Sequence, residues 1–206
     1  MNVPVAGKRG PLRADSRNVV RGHETRRRIL DAARVRMVAD GFEALRLEDV
    51  ARDAGVTKAA VIKSVGGKAK ILLLLGDEDR LTRLDAIRRS MKLRTGVERR
   101  LAHVTGLWLE LDLARLRIVM PYIGYMWFWE GADHDRAQAM VDETRALLGE
   151  LLAAASPKRP SPDRLSLLTL RVMGGYVIGL RDLCYGHKTV DETVRFVVDY
   201  TFQSDR

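Results

Sequence analysis

Residues 47–65 read LEDVARDAGVTKAAVIKSV. Leu47, Val50, Ala51 and Ala54 fall on one face of a first helix. Gly55 ends that helix, because glycine takes the positive φ of a sharp exit without strain. Val56 plugs the corner, and Thr57 is placed to cap the next helix through its hydroxyl. Val61, Ile62 and Val65 are expected to form the inward face of that second helix, leaving Lys58, Ala59, Lys63 and Ser64 outward. Two short helices joined by a glycine-containing turn, the second with a small and basic outer face, form a helix-turn-helix pattern.

Charge is concentrated around this stretch. The 206-residue chain has a net charge of +9, from 36 Lys and Arg against 27 Asp and Glu. Residues 1–70 hold 16 basic and 8 acidic residues; the remainder hold 20 and 19. Nearly all the excess positive charge therefore accompanies the helix-turn-helix, which points to a polyanionic partner there. Apolar content of 46% supports a substantial core. The single cysteine, Cys184, permits no intramolecular disulfide and fits a reducing, cytoplasmic setting. The longest apolar run, residues 118–129, is interrupted by Pro121 and is too short to span a bilayer, so no membrane partner is expected. The polar, basic N-terminus lacks the apolar stretch of a secretory signal.

On the N-terminal side, residues 24–40 are expected to form a helix with Ile29, Ala32, Ala33, Val35 and Met37 inward and arginines outside. Gly41 closes it and Phe42 tucks beneath. Residues 1–22 carry Pro4, Gly7, Gly10 and Pro11 among Lys8, Arg9, Arg13, Arg17 and Arg21, and read as a flexible basic arm suited to a DNA groove. On the other side, Gly66-Gly67 precedes a long helix from Lys68 towards Arg89. A lysine at a helix N-terminus opposes the helix dipole unless a phosphate binds there too.

The run Arg28-Ile29-Leu30-Asp31-Ala32-Ala33, then Gly41-Phe42, Asp49-Val50-Ala51, Ala54-Gly55-Val56-Thr57 and Lys68 resembles the DNA-binding domain of the TetR (tetracycline-repressor-like) family. The resemblance covers residues 24–72. It implies an all-α fold: a three-helix DNA-binding domain over residues 23–67, and a larger helical effector-binding and dimerisation domain over 68–206. By position, Thr57, Lys58, Ala59, Lys63 and Ser64 would face a double-stranded DNA operator and Lys68 would hold a backbone phosphate, while Arg46 adds a cation at the same face. Two features depart from the family pattern. Ile62 and Val65 stand where the family has an aromatic pair, and Arg46 replaces the Ser or Thr that caps the first helix of the motif.

Beyond residue 89 the chain is read from its own periodicity. Residues 97–116 form a helix with Leu101, Val104, Leu107, Trp108 and Leu111 recurring at three- and four-residue steps. Pro121 interrupts the next segment, residues 131–135 read as a turn, and residues 136–155 form a further helix. Tyr122, Tyr125, Trp127, Phe128 and Trp129 place five of the 12 aromatics within eight residues. Trp108, Met120, Tyr122, Tyr125, Met126 and Trp129 are expected to line an effector cavity, with Asp112 or His103 as a polar handle. The alternative is plain core, and adjacency forbids Trp127, Phe128 and Trp129 from all facing in. The last two helices, 163–185 and 189–202, follow the proline-rich loop SPKRPSP. Gly174, Gly175 and Gly179 in the first imply close approach by another helix. In the resembled family these helices pair with their twins, so Leu168, Val172, Tyr176, Leu180, Val194 and Val198 are expected at a homodimer interface.

Catalytic signatures are missing. The sequence has no glycine-rich phosphate loop, no Cys/His metal spacing and no Gly-x-Ser-x-Gly elbow, and its four histidines are far apart. The reading is therefore a homodimeric regulator, a repressor responsive to a small apolar or aromatic effector, with no cofactor and no enzymatic role. The alternative is a helical ligand-binding or interaction protein whose degenerate helix-turn-helix reads no specific operator.

Overall fold

The computed structural model describes residues 12–156 and 158–203, with side chains from residue 19 onward. Among the described residues the chain is all-α, in the order α1 (Leu12–Asp40), α2 (Leu47–Asp53), α3 (Lys58–Val65), α4 (Lys68–Met91), α5 (Val97–Leu113), α6 (Leu116–Tyr125), α7 (Gly131–Ala155), α8 (Pro162–Cys184) and α9 (Val190–Phe202). The helices form two compact units, residues 1–71 and 72–206, and α4 belongs to both.

In the N-terminal unit α1 starts at Leu12, not at residue 24. No proline follows Pro11 until residue 121, so nothing in residues 12–22 stops a helix from extending backwards. The arm residues Lys8 and Arg9, and the side chains of Arg13 and Arg17, lie outside what the structure describes. Ile29, Leu30, Ala33 and Met37 on α1 pack with Phe42, Leu45, Val50, Ala51, Ala54, Val61 and Val65, all buried, whereas Val35, two residues from both Ala33 and Met37 and so on the opposite side of the helix, is exposed and not inward. Gly41 and Gly55 make their exits at φ of +88° and +64°, the left-handed values that their positions as helix stops require.

The C-terminal unit packs α5, α7, α8 and α9 around Leu101, Leu109, Leu148, Leu151, Val172, Leu180 and Val197. The expected close approach is that of α9 to α8. A Cβ on Gly175 would lie 2.9 Å from Tyr200, and one on Gly179 would lie 2.9 Å from Thr193. A Cβ on Gly174 would meet nothing within 4 Å, so no contact within the protomer requires a glycine there. Thr189 and Glu192 form a reciprocal capping box at the start of α9.

Two local expectations are corrected. Residues 131–135 are the first turn of α7, where Asp133 favours the positive end of the helix dipole. Pro121 sits within α6, which runs on past it to Tyr125.

Candidate functional site

The helix-turn-helix presents a continuous outer face. Thr57 caps α3, its hydroxyl oxygen accepting from the Ala60 amide at 3.1 Å. Val61 and Val65 anchor the helix in the core, and Thr57, Lys58, Ala59 and Lys63 are exposed, with Ser64 partly so. Ile62 is also on this face, half exposed, which corrects its placement inward. In an eight-residue helix Val61 and Val65, four apart, already supply the inner contact, and Ile62 is rotated about 100° away.

The charged groups nearby are partly engaged. Lys58 Nζ donates to Glu48 Oε1 at 2.6 Å, and this bond holds the Glu48 carboxyl below its ordinary range. Arg36 donates to Asp53 Oδ2 at 2.6 Å and tethers α1 to α2, lowering the Asp53 pKa. Arg46 is exposed and precedes α2 in an extended conformation without capping it. Lys68 Nζ donates to the Glu43 carbonyl at 2.8 Å and lies 4.5 Å from the Phe42 ring centre. In the free protein Lys68 thus holds the corner between α1 and α2, a tie that the sequence does not reveal.

The C-terminal unit contains a cavity of about 170 Å³. Trp108, Asp112, Tyr122 and Met126 line it as expected, together with Gly76, Arg83, Met140, Met173 and Tyr176. Met120, Tyr125 and Trp129 do not. Met120 is turned outward on α6. Trp129 is buried behind the wall with Leu73, Ala137 and Met140, and Tyr125 packs against that cluster. Trp127 and Phe128 are exposed. His103 bonds through Nδ1 to the Ser90 hydroxyl at 2.7 Å, away from the cavity lining.

Asp112 is fully buried and is more than a handle. Arg83 grips both its oxygens, one at 2.9 Å, and the Tyr176 hydroxyl donates to Oδ2 at 2.7 Å. Burial opposes the Arg83 charge, but the Asp112 carboxylate outweighs it and the pKa is raised. Burial, followed by the Asp112 charge, pushes the Tyr176 hydroxyl up and keeps it a donor. Trp108 braces the group, its indole N–H donating to the Arg83 carbonyl at 3.1 Å and its ring meeting Tyr176 edge-on. Asp112 is the part of this group that the sequence marks, as a charge on the core-facing stripe Leu101, Val104, Thr105, Trp108 and Leu109 of α5.

The expected interface residues divide. Leu168, Val172, Tyr176 and Leu180 face the protomer's own core and are at most 5% exposed. Helix α8 carries a second apolar stripe, Leu167, Leu170, Val177 and Ile178, between 40% and 61% exposed. Periodicity finds both stripes and does not say which one turns inward. Val194 and Val198 are partly buried against the core.

Residues 29–75 match the family model of bacterial regulatory proteins, tetR family. By this match the N-terminal unit is similar to the DNA-binding part of TetR-family regulators. The members of this family are DNA-binding transcriptional regulators, not enzymes. Solved structures of transcriptional regulators are similar in fold over most of the chain at low identity. FadR from Bacillus subtilis, in complex with stearoyl-CoA, is 15% identical with a TM-score of 0.67, over 84% of this chain and 96% of that one. PfmR from Thermus thermophilus is 16% identical with a TM-score of 0.63, over 85% and 97%. LfrR from Mycobacterium smegmatis, in complex with proflavine, is 22% identical with a TM-score of 0.61, over 89% and 97%. No curated protein sequence matches the chain. Among the described residues, no helix is long and apolar enough to cross a membrane.

Proposed function

We propose that the protein is a homodimeric, ligand-responsive transcriptional repressor of the TetR family. The supporting observation is the outer face of α3: a capped, core-anchored helix presents Thr57, Lys58, Ala59, Ile62 and Lys63 together. That is the side-chain set a recognition helix carries into a major groove. Lys58, Lys63 and Ser64 read base edges there, while Arg46 and Lys68 take backbone phosphates. Lys58 exchanges Glu48, and Lys68 exchanges the Glu43 carbonyl, for DNA. A second copy docks through the outer stripe of α8, with Val194 and Val198 at its margin, and sets two recognition helices about 34 Å apart on a palindrome.

The complexes of FadR with stearoyl-CoA and of LfrR with proflavine support a small-molecule effector, and the cavity supports a seat for it in the C-terminal unit. An effector in the cavity favours one conformation of α4, the helix that starts in one unit and ends in the other, and the duplex is released. It does so only to the extent that it binds the released state more tightly.

One observation favours the alternative of an interaction protein with a degenerate motif: an apolar Ile62 in the middle of the outer face. Titration of salt against a selected palindrome and a random duplex separates the two. The repressor holds the palindrome far more tightly at moderate salt; equal affinity for both would reject the specific-operator reading.

A further inference from the structure

The cavity is small for the function just proposed, and its size and wall chemistry narrow the effector. Its volume of about 170 Å³ falls below the roughly 300–1,000 Å³ of most small-molecule sites. It is close to the cavity of about 150 Å³ that accepts one benzene.

The charges on its wall are already matched. Arg83 is closed onto Asp112. Arg80 is bound by Asp77, at 3.0 Å, and by Glu143, and Asp77 also receives Arg136. The three guanidinium groups therefore face three carboxylates. An anion or a cation entering this space must break a pair or remain buried without a counter-charge.

The neutral donors on the wall are nearly all committed. Trp108 donates to the Arg83 carbonyl, Tyr176 to Asp112, and Thr144 to the Met140 carbonyl. The Tyr122 hydroxyl has no hydrogen-bond partner among the described residues. Burial pushes its pKa up to about 12, so it holds its proton at any ordinary pH. The Tyr122 ring lies flat against Gly76: a Cβ at residue 76 would stand 2.1 Å from Cε2 and 2.8 Å from Cζ. Any side chain at residue 76 would drive the ring from its seat, so Gly76 fixes where this wall stands.

We propose that the cavity selects an uncharged molecule of about one six-membered ring plus a few atoms, whose lone acceptor oxygen or nitrogen accepts a hydrogen bond from the Tyr122 hydroxyl. This rests on the effector-binding reading above, and it excludes charged or long-chain ligands of the unexpanded cavity. Gly76 and Tyr122 are its specificity-determining pair.

The test is calorimetric titration of the full chain with four one-ring probes: acetophenone, ethylbenzene, benzoate and benzylammonium. Acetophenone is expected to bind most tightly, and ethylbenzene, which keeps the shape and loses the acceptor, about tenfold more weakly. The two ions are expected to bind at least about thirtyfold more weakly. Tyr122→Phe should bring acetophenone down to the level of ethylbenzene and leave ethylbenzene unchanged. Gly76→Ala should weaken both neutral probes. Its melting curve is recorded alongside, and Tyr122→Phe alone decides the matter if Gly76→Ala does not fold.

The inference is overturned if either ion binds as well as acetophenone, if Tyr122→Phe leaves acetophenone unaffected, or if no probe binds. Duplex binding, measured on the same preparation, keeps the two readings apart. A protein that holds a selected duplex and no probe loses this inference alone; one that binds acetophenone and no duplex loses the regulator reading alone.

Discussion

In the N-terminal unit Arg52 and Lys58 stand 68% and 52% exposed, and Lys63 extends from the same surface. In the C-terminal unit Arg83 is 21% exposed and closed onto a carboxylate with no exposure at all. The first unit keeps its cations where a polyanion can reach them. The second draws Arg83 inside and neutralises it on Asp112, while Arg89, Lys92 and Arg94 stay at its surface. The excess of basic residues in residues 1–70, set against near-balance in the rest, is the same division written in composition. An exposed pair such as Lys58–Glu48 is cheap to break, which suits a residue that must change partners. The Arg83–Asp112–Tyr176 group cannot change partners without leaving a buried charge, which suits a fixed wall.

The largest effect that would sharpen this contrast comes from breaking the buried group. Asp112→Ala should destabilise the protein by about 3–5 kcal/mol in urea unfolding, because Arg83 and Tyr176 lose their acceptor. Replacing both ions, Arg83→Met with Asp112→Leu, should recover most of that loss. If Asp112→Ala unfolds like the parent protein, the interior pairing is not what holds the wall.

On the exposed side, Lys63→Ala should cost about 1–3 kcal/mol at one operator position and relax the preference there. Lys68→Ala should weaken all duplexes alike and lower the salt slope by about one unit. Binding of duplex panels across salt concentrations distinguishes these outcomes; no change in either variant would refute the assignment of the DNA face. Thr57→Ala should cost about 1 kcal/mol of stability through loss of the α3 cap, read as a lowered melting temperature.

Acid should also probe the ion pairs of the C-terminal unit. Burial raises the Asp77 pKa, but the bonds from Arg136 and Arg80 outweigh it, and the folded value lies below the ordinary 3.8. A depressed carboxylate stabilises the fold above the unfolded value, and that contribution fades as pH falls from about 3.8 through the lower folded value. Stability measured against pH should therefore drop less steeply below 3.8 in Asp77→Asn than in the parent chain. The smallest effect is Glu48→Gln, which releases Lys58 and should raise duplex affinity by less than about tenfold.

The helix-turn-helix was legible because short-range rules govern it. Gly41, Gly55 and Thr57 act through their own backbone or the next turn, and all three do in the structure what their spacing implies. The C-terminal unit was legible in its helices and less so in its surfaces. Arg83 and Asp112 lie 29 residues apart on different helices, and no local pattern joins them. The seat of Tyr122 on Gly76 depends likewise on which face of α6 meets α4. In α8 the inner and outer stripes are both apolar, and only the packed structure distinguishes Val172, in the core, from Leu170, in the open. The same ambiguity affects Ile62, whose neighbour Val61 is the residue that turns inward.

The claim on which the account rests is that two copies of the α3 face read one symmetric DNA site. Selection of bound duplexes from a random library at moderate salt addresses it directly. The expected product is an enriched palindrome whose half-sites are centred about 34 Å apart, one turn of DNA or a multiple of it. A bound pool with no enriched motif, held as tightly as random duplex, would contradict the account.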